Sequence, residues 1–97
     1  MSVSAQAIVS IPEDVLFREL DGEAIILNLA KGLYFGLDAV GTRIWMVLDE
    51  SSSVGRAIEV MTAEYDVDPA VAAQDVLELV SALRDQGLIL VNPAPIA

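Results

Sequence analysis

Any chemistry performed by this chain would have to come from carboxylates and a few cations. Its 97 residues include 15 acids, Lys31, four arginines and two tyrosines, with no histidine and no cysteine. Imidazole bases, thiolate nucleophiles and the usual zinc ligand sets are therefore excluded. Asp66 and Asp68 lie close together but lack the ligand spacing of a calcium loop, and they read as helix caps and solvated surface. No spacing of acids indicates a paired-carboxylate active site, so no catalytic residue, metal or cofactor is assigned. The side chains left over are suited to holding something: Lys31, Tyr34, Phe35 and Arg84, set among apolar stretches.

Charge and hydropathy narrow what could be held. The formal charge of −10 would repel nucleic acid at long range. A hydrophobic share of 55% is high for so acidic a chain. It means either a tightly packed small core or apolar surface reserved for a partner, a second copy included. No apolar run approaches the roughly 18 residues of a membrane span, so no membrane partner is expected. The first ten residues lack the basic start and apolar stretch of a secretory signal. With no cysteine to form disulfides, a cytoplasmic location is the default. The length suits one domain, with 1–12 expected to be a flexible N-terminal segment, 13–91 the domain and 92–97 a flexible tail.

The elements follow from local patterns. Val15–Leu20 is rich in β-branched and aromatic residues, and the Asp21-Gly22 pair after it is a strong hairpin signal. The return strand covers 23–29, with Ile25, Leu27 and Leu29 on one face. Ala30-Lys31-Gly32 turns the chain into a third strand, Leu33–Leu37. Asp38 is placed to cap a helix over 38–50, where Gly41 lets another backbone come close and Ile44, Trp45 and Leu48 form an apolar face. Ser53 caps a second helix, which carries Val54, Ala57, Ile58, Met61 and Tyr65 on one stripe. Asp68-Pro69 opens a third helix running to Gln86, with Gly87 as its left-handed stop. A short strand or extended arm over 88–91 ends the domain. The class expected is α+β, a winged helix-turn-helix: a three-stranded antiparallel N-terminal sheet, three helices and that short C-terminal strand or arm.

The third helix is unusually apolar. At about 100° per residue, Gln74, Glu78, Ser81 and Asp85 share one side. Ala72, Ala73, Val76, Leu77, Leu79, Val80 and Leu83 fill an arc of roughly 160°, wider than a surface helix needs. Either this helix is buried on both flanks, or part of the arc lines a groove. The third strand has its sequence neighbour on one side and is expected to leave its other edge unpaired. A bare strand edge beside an apolar helix is a template for an added peptide strand.

These pieces resemble the PqqD-like family of leader-peptide-binding proteins, also called RiPP recognition elements. The resemblance covers roughly residues 15–91. It rests on Asp21-Gly22, the run Lys31-Gly32-Leu33-Tyr34-Phe35-Gly36-Leu37-Asp38, Gly41 with Ile44-Trp45, Ala63-Glu64-Tyr65-Asp66-Val67-Asp68, Asp75 through Leu79, and Leu83 with Gly87-Leu88-Ile89. It implies a non-catalytic module that binds the leader of a ribosomally made precursor peptide as an antiparallel strand and presents it to a modifying or processing enzyme. By position, the strand edge would be Lys31, Gly32, Leu33, Tyr34, Phe35 and Gly36. The helix wall would be Val76, Leu79, Val80 and Leu83, with Asp75 at an acidic position typical of the family and Arg84 beyond it. The Gly-Leu-Tyr-Phe strand, the Ile44-Trp45 pair and the Gly87-Leu88 ending look more like free-standing lasso-peptide members, which serve a leader peptidase and a ring-closing cyclase. The other branch serves a radical-SAM enzyme in pyrroloquinoline quinone biosynthesis.

Individual residues carry plainer readings beside these. Lys31-Gly32 is first a turn pair, and Trp45 reads as core. Strand alternation with Leu33 and Leu37 puts Phe35 inside and leaves Tyr34 as the ring available to a guest. Arg84 suits a leader carboxylate and a neighbouring acid equally well. A winged-helix regulator of nucleic acid is disfavoured by the acidic charge. A small acidic carrier protein would need an Asp-Ser-Leu prosthetic site, which the chain lacks.

Overall fold

The computed structural model describes residues 3–92. Chain order is β1 (Ile8–Ser10), β2 (Val15–Leu20), β3 (Glu23–Asn28), β4 (Leu33–Leu37), α1 (Ala39–Ser51), α2 (Val54–Tyr65), α3 (Pro69–Asp85) and β5 (Leu90–Asn92). β2, β3 and β4 form an antiparallel meander in that order, and β1 pairs with β5 in a separate two-stranded sheet. The class is α+β with a winged-helix-like arrangement, as expected. The tail beyond Asn92 lies outside the described residues. Among the described residues no helix is long and apolar enough to cross a membrane.

The expected caps are present. The Asp38 carboxylate accepts from the Gly41 N–H at 2.8 Å, Ser53 Oγ from the Arg56 N–H at 3.0 Å, and Asp68 Oδ1 from the Ala70 N–H at 2.8 Å. Each satisfies one of the donors that a helix start leaves without an internal partner. The β2–β3 hairpin turns at Asp21-Gly22, both with positive φ (56° and 83°), the backbone of a type I′ turn.

Two expectations need correction, and the two faces of β3 are now assigned. The N-terminal segment does not fray where it is described: Val3, Ala7 and Val9 are buried, and β1 pairs residue for residue with β5. The Val9 N–H donates to the Ser52 carbonyl and the Val54 N–H to the Ala7 carbonyl, stitching this segment over the α1–α2 junction. In β3, Ile25 and Leu27 share one face as expected, and it is the outer one; the inward set is Ala24, Ile26 and Asn28, while Ile25 and Leu29 are exposed and Leu27 is half-buried. Gly41 makes room for its own strand end rather than for another backbone. An added Cβ there would meet Leu37 Cδ2 at 3.2 Å and Asp38 Oδ1 at 3.3 Å.

The core lies between the inner sheet face and the helices. Ile26, Ile44, Trp45, Leu48, Val76, Val80 and Leu83 are all essentially inaccessible. Trp45 stacks on Phe17 with ring centroids 6.2 Å apart and planes at 10°. It is core, as read from sequence. On the surface, Arg43 and Glu64 tie α1 to α2 through a bidentate contact, Nε to Oε1 at 2.9 Å. The guanidinium's hydrogen bond holds the Glu64 carboxyl below its ordinary range.

One buried polar side chain sets the spacing between sheet and helices. Asn28 donates from Nδ2 to the Gly87 carbonyl at 3.1 Å and accepts at Oδ1 from the Lys31 N–H at 3.1 Å. It thus joins the β3–β4 turn to the loop that ends α3, across 59 residues of sequence. Gly87 holds φ +74°, and an added Cβ would meet Lys31 Nζ at 2.7 Å. No larger residue fits that approach without moving the lysine.

Two stability measurements check this account. Val9→Ala should cost about 2 kcal/mol by leaving a cavity under β1, lowering Tm by about 10 °C; a frayed terminus would give no shift. Asn28→Ala should cost about 1–3 kcal/mol in urea denaturation, because the Gly87 carbonyl loses its buried partner. A loss under 0.5 kcal/mol, the range of ordinary surface changes, would show that the link is not structural.

Candidate peptide-binding site

β4 is paired on one side only. Its register with β3 runs from Ala24 opposite Leu37 to Asn28 opposite Leu33, and no described strand lies on its other side. At the turn end it is tied toward α3 through Asn28 and Gly87. At the far end, Asp38, Val40, Gly41 and Ile44 face Asp75, Glu78 and Leu79 of α3 across an open cavity of about 500 Å³. α3 therefore runs antiparallel to β4, its end near the start of the strand and Asp75 to Leu79 near the residues that follow it. The five residues of β4 offer main-chain donors and acceptors over about 17 Å.

Strand alternation sorts the side chains. Leu33, Phe35 and Leu37 stand on the inner face, toward the helices. Leu33 remains exposed, Phe35 is half-buried against the core and Leu37 is buried. Tyr34 is 74% exposed and pairs laterally with Leu27, on the outer face. So Tyr34 is the exposed ring, as expected, but it stands on the outer face, whereas Leu33 and Phe35 stand on the inner one.

The helix wall is narrower than the sequence arc. Val76, Val80 and Leu83 are wholly buried in the core, leaving half-buried Leu79 as the member of the expected wall that reaches the groove. Helical spacing places half-buried Ala82 and exposed Gln86 on the same line as Asp75 and Leu79. Val40, Ile44 and Glu78 also line the groove and were not singled out from sequence. For Val40 and Ile44 the signal was α1 following directly on β4, which carries the start of that helix into the groove; for Glu78 it was its place beside Asp75 and Leu79 on α3. Asn28 was missed as well, although it is a polar residue in phase with the buried Ala24 and Ile26.

Charge is distributed unevenly along the groove. Asp38, Asp75 and Glu78 crowd the end by α1, with the Glu78 carboxylate accepting from Gln74 Nε2 at 3.1 Å. Lys31 lies at the turn end beside Gly87. Arg84, the next-to-last residue of α3, pairs with Asp85 at 3.3 Å, so the neighbouring acid anticipated from sequence is engaged. Among the described residues no group of three acids, histidines or cysteines could hold a metal ion. The shifted titrations, those of Arg43 and Glu64, lie on the α1–α2 surface outside this groove. The arrangement offers backbone hydrogen bonds, apolar anchorage and a charge gradient.

Comparison with known proteins agrees with this geometry. The solved structure of TbiB1 in complex with the TbiA(beta) leader peptide is 37% identical to the chain, covering 81% of it and 92% of that protein, with a TM-score of 0.77. A lasso peptide synthetase B1 complexed with the leader peptide shares the fold at 23% identity, covering 84% of this chain and 96% of its own, with a TM-score of 0.76. No curated protein matches the sequence. The family described as coenzyme PQQ synthesis protein D (PqqD) matches residues 23–89, from the start of β3 to the residue before β5. The chain belongs to the PqqD family.

Proposed function

We propose that this protein captures the leader segment of a ribosomally made precursor peptide as a fourth, antiparallel strand on β4, and presents it to the enzymes of lasso-peptide maturation. The observation that carries this reading is the unpaired β4 edge, which leads directly into an open, partly apolar groove between the start of α1 and α3. The 37% identity to TbiB1, itself solved with a leader peptide, supports the lasso branch over a radical-SAM partner. The protein does no chemistry of its own in this scheme. It acts in the cytoplasm, where ribosomal peptides are made and matured, and its partners are the precursor, a leader peptidase and a cyclase.

The physics divides into affinity and selection. Main-chain pairing with residues 31–36 serves any extended peptide. Selection comes from guest side chains on the inner face, which meet Leu33, Phe35 and Leu79, with Asp75 at the acidic end. Val76, Val80 and Leu83 act from beneath, fixing the helix that carries Leu79. Ordering a disordered peptide costs several kcal/mol, so the net affinity should be near micromolar, about −8 kcal/mol.

Titration calorimetry with the leader peptide tests this. Leu79→Asp should weaken binding by about 2 kcal/mol, roughly thirtyfold, through loss of an apolar anchor, with the far-ultraviolet dichroism unchanged. Tyr34→Ala should have a smaller effect, up to about fivefold, because its ring meets only outward-facing residues of the guest strand. Wild-type affinity in Leu79→Asp would refute the assigned groove.

A further inference from the structure

Leader capture leaves the outer face of the three-stranded sheet without a role. Leu16, Leu27 and Tyr34 form one cross-strand row on that face, and Arg18, Ile25 and Gly36 the next, with Leu20 at the hairpin end. An antiparallel sheet with one solvated face ordinarily puts polar side chains there. Here Leu20 is 78% exposed, and Leu16, Ile25 and Tyr34 are exposed as well. Gly36 deepens the surface: an added Cβ would meet nothing within 4 Å. With Arg18, Leu20, Glu23 and Ile25 it lines a depression of about 590 Å³ that wraps round the end of the sheet to Ala24, Leu37 and Asp38.

We propose that this outer face docks the enzyme that receives the peptide, through an apolar patch on that enzyme bordered by basic side chains. The inference rests on the leader-capture reading. Two observations choose the occupant. The first is continuity. Tyr34 and Gly36 belong to β4, so the patch abuts the edge on which the guest strand adds, and an enzyme acting on the emerging peptide meets both. The second is charge. The two cross-strand rows carry Arg18 as their charged group, but Glu23 and Asp38 line the depression at the patch's end, and the chain carries −10 overall. A second copy would bring two such chains face to face, whereas a basic rim is attracted.

The test uses the full chain, with the purified leader peptidase of its own biosynthetic system as the probe in biolayer interferometry. Leu20→Lys puts a cation where the basic rim would close. Ile25→Thr removes apolar surface while keeping the branched side chain that a strand favours. Peptidase binding should fall more than about tenfold in Leu20→Lys and by less in Ile25→Thr, and wild-type binding should weaken with added salt. Leader affinity, titrated separately, should stay within about twofold, since neither position borders the groove. Undiminished peptidase binding in both variants, or none by the wild type, overturns the proposal. So does a wild-type dimer that Leu20→Lys converts to monomer, which would assign the face to a second copy. Failure of the wild type to bind leader peptide would instead strike the leader-capture reading, and it is seen in the separate titration.

Discussion

A strand edge left bare is an invitation to the molecule's own layers to close over it, or to another chain to pair with it. β4 escapes the first fate because it is pinned at both ends against the helical layer. Asn28 bonds at once to the turn that starts β4 and to the loop that ends α3. At the other end, Leu37 packs into the space that Gly41 leaves, and Asp38 caps α1 directly after the strand. Between these two anchors α3 stays beside the strand without covering it. The groove lies at the second of these anchors, between the start of α1 and the Asp75–Leu79 stretch of α3.

Much of this was legible in the sequence, and the reasons are local. Asp21-Gly22, Asp38, Ser53 and Asp68 each announce a turn or a helix start through their own side-chain or backbone chemistry, and each sits where that chemistry is used. What was not legible depended on distant partners. β1 is three residues long and finds its pair some eighty residues later, in β5, so no nearby pattern marks it. β3 reads Glu-Ala-Ile-Ile-Leu-Asn, with apolar residues in both alternating sets. Period alone could not tell the inner face from the outer, and the buried Asn28 decided it through its bonds to Lys31 and Gly87. The broad apolar arc of α3 likewise could not say which flank the core would take. Val76, Val80 and Leu83 went inward, and only the margin near Leu79 was left to the groove.

That same ambiguity in β3 has a consequence for function. Because the outward set is also apolar, the sheet has two usable surfaces in place of a buried one and a wetted one. The inner groove meets a guest strand from the side, while the outer face lies flat beside it. Tyr34 and Phe35, adjacent in sequence, stand on the two faces separately. An acidic chain of charge −10 can carry so much exposed apolar area because its copies repel one another.

The central claim is that the free edge of β4 is the pairing surface. Amide hydrogen exchange followed by NMR reads it residue by residue, with leader peptide at about a hundred times its Kd. The β4 amides that point to the free edge should slow about a hundredfold, while amides on the unpaired edge of β2 keep their rates. Protection confined to α3 or to β2, with β4 exchanging as in the free protein, would contradict the account.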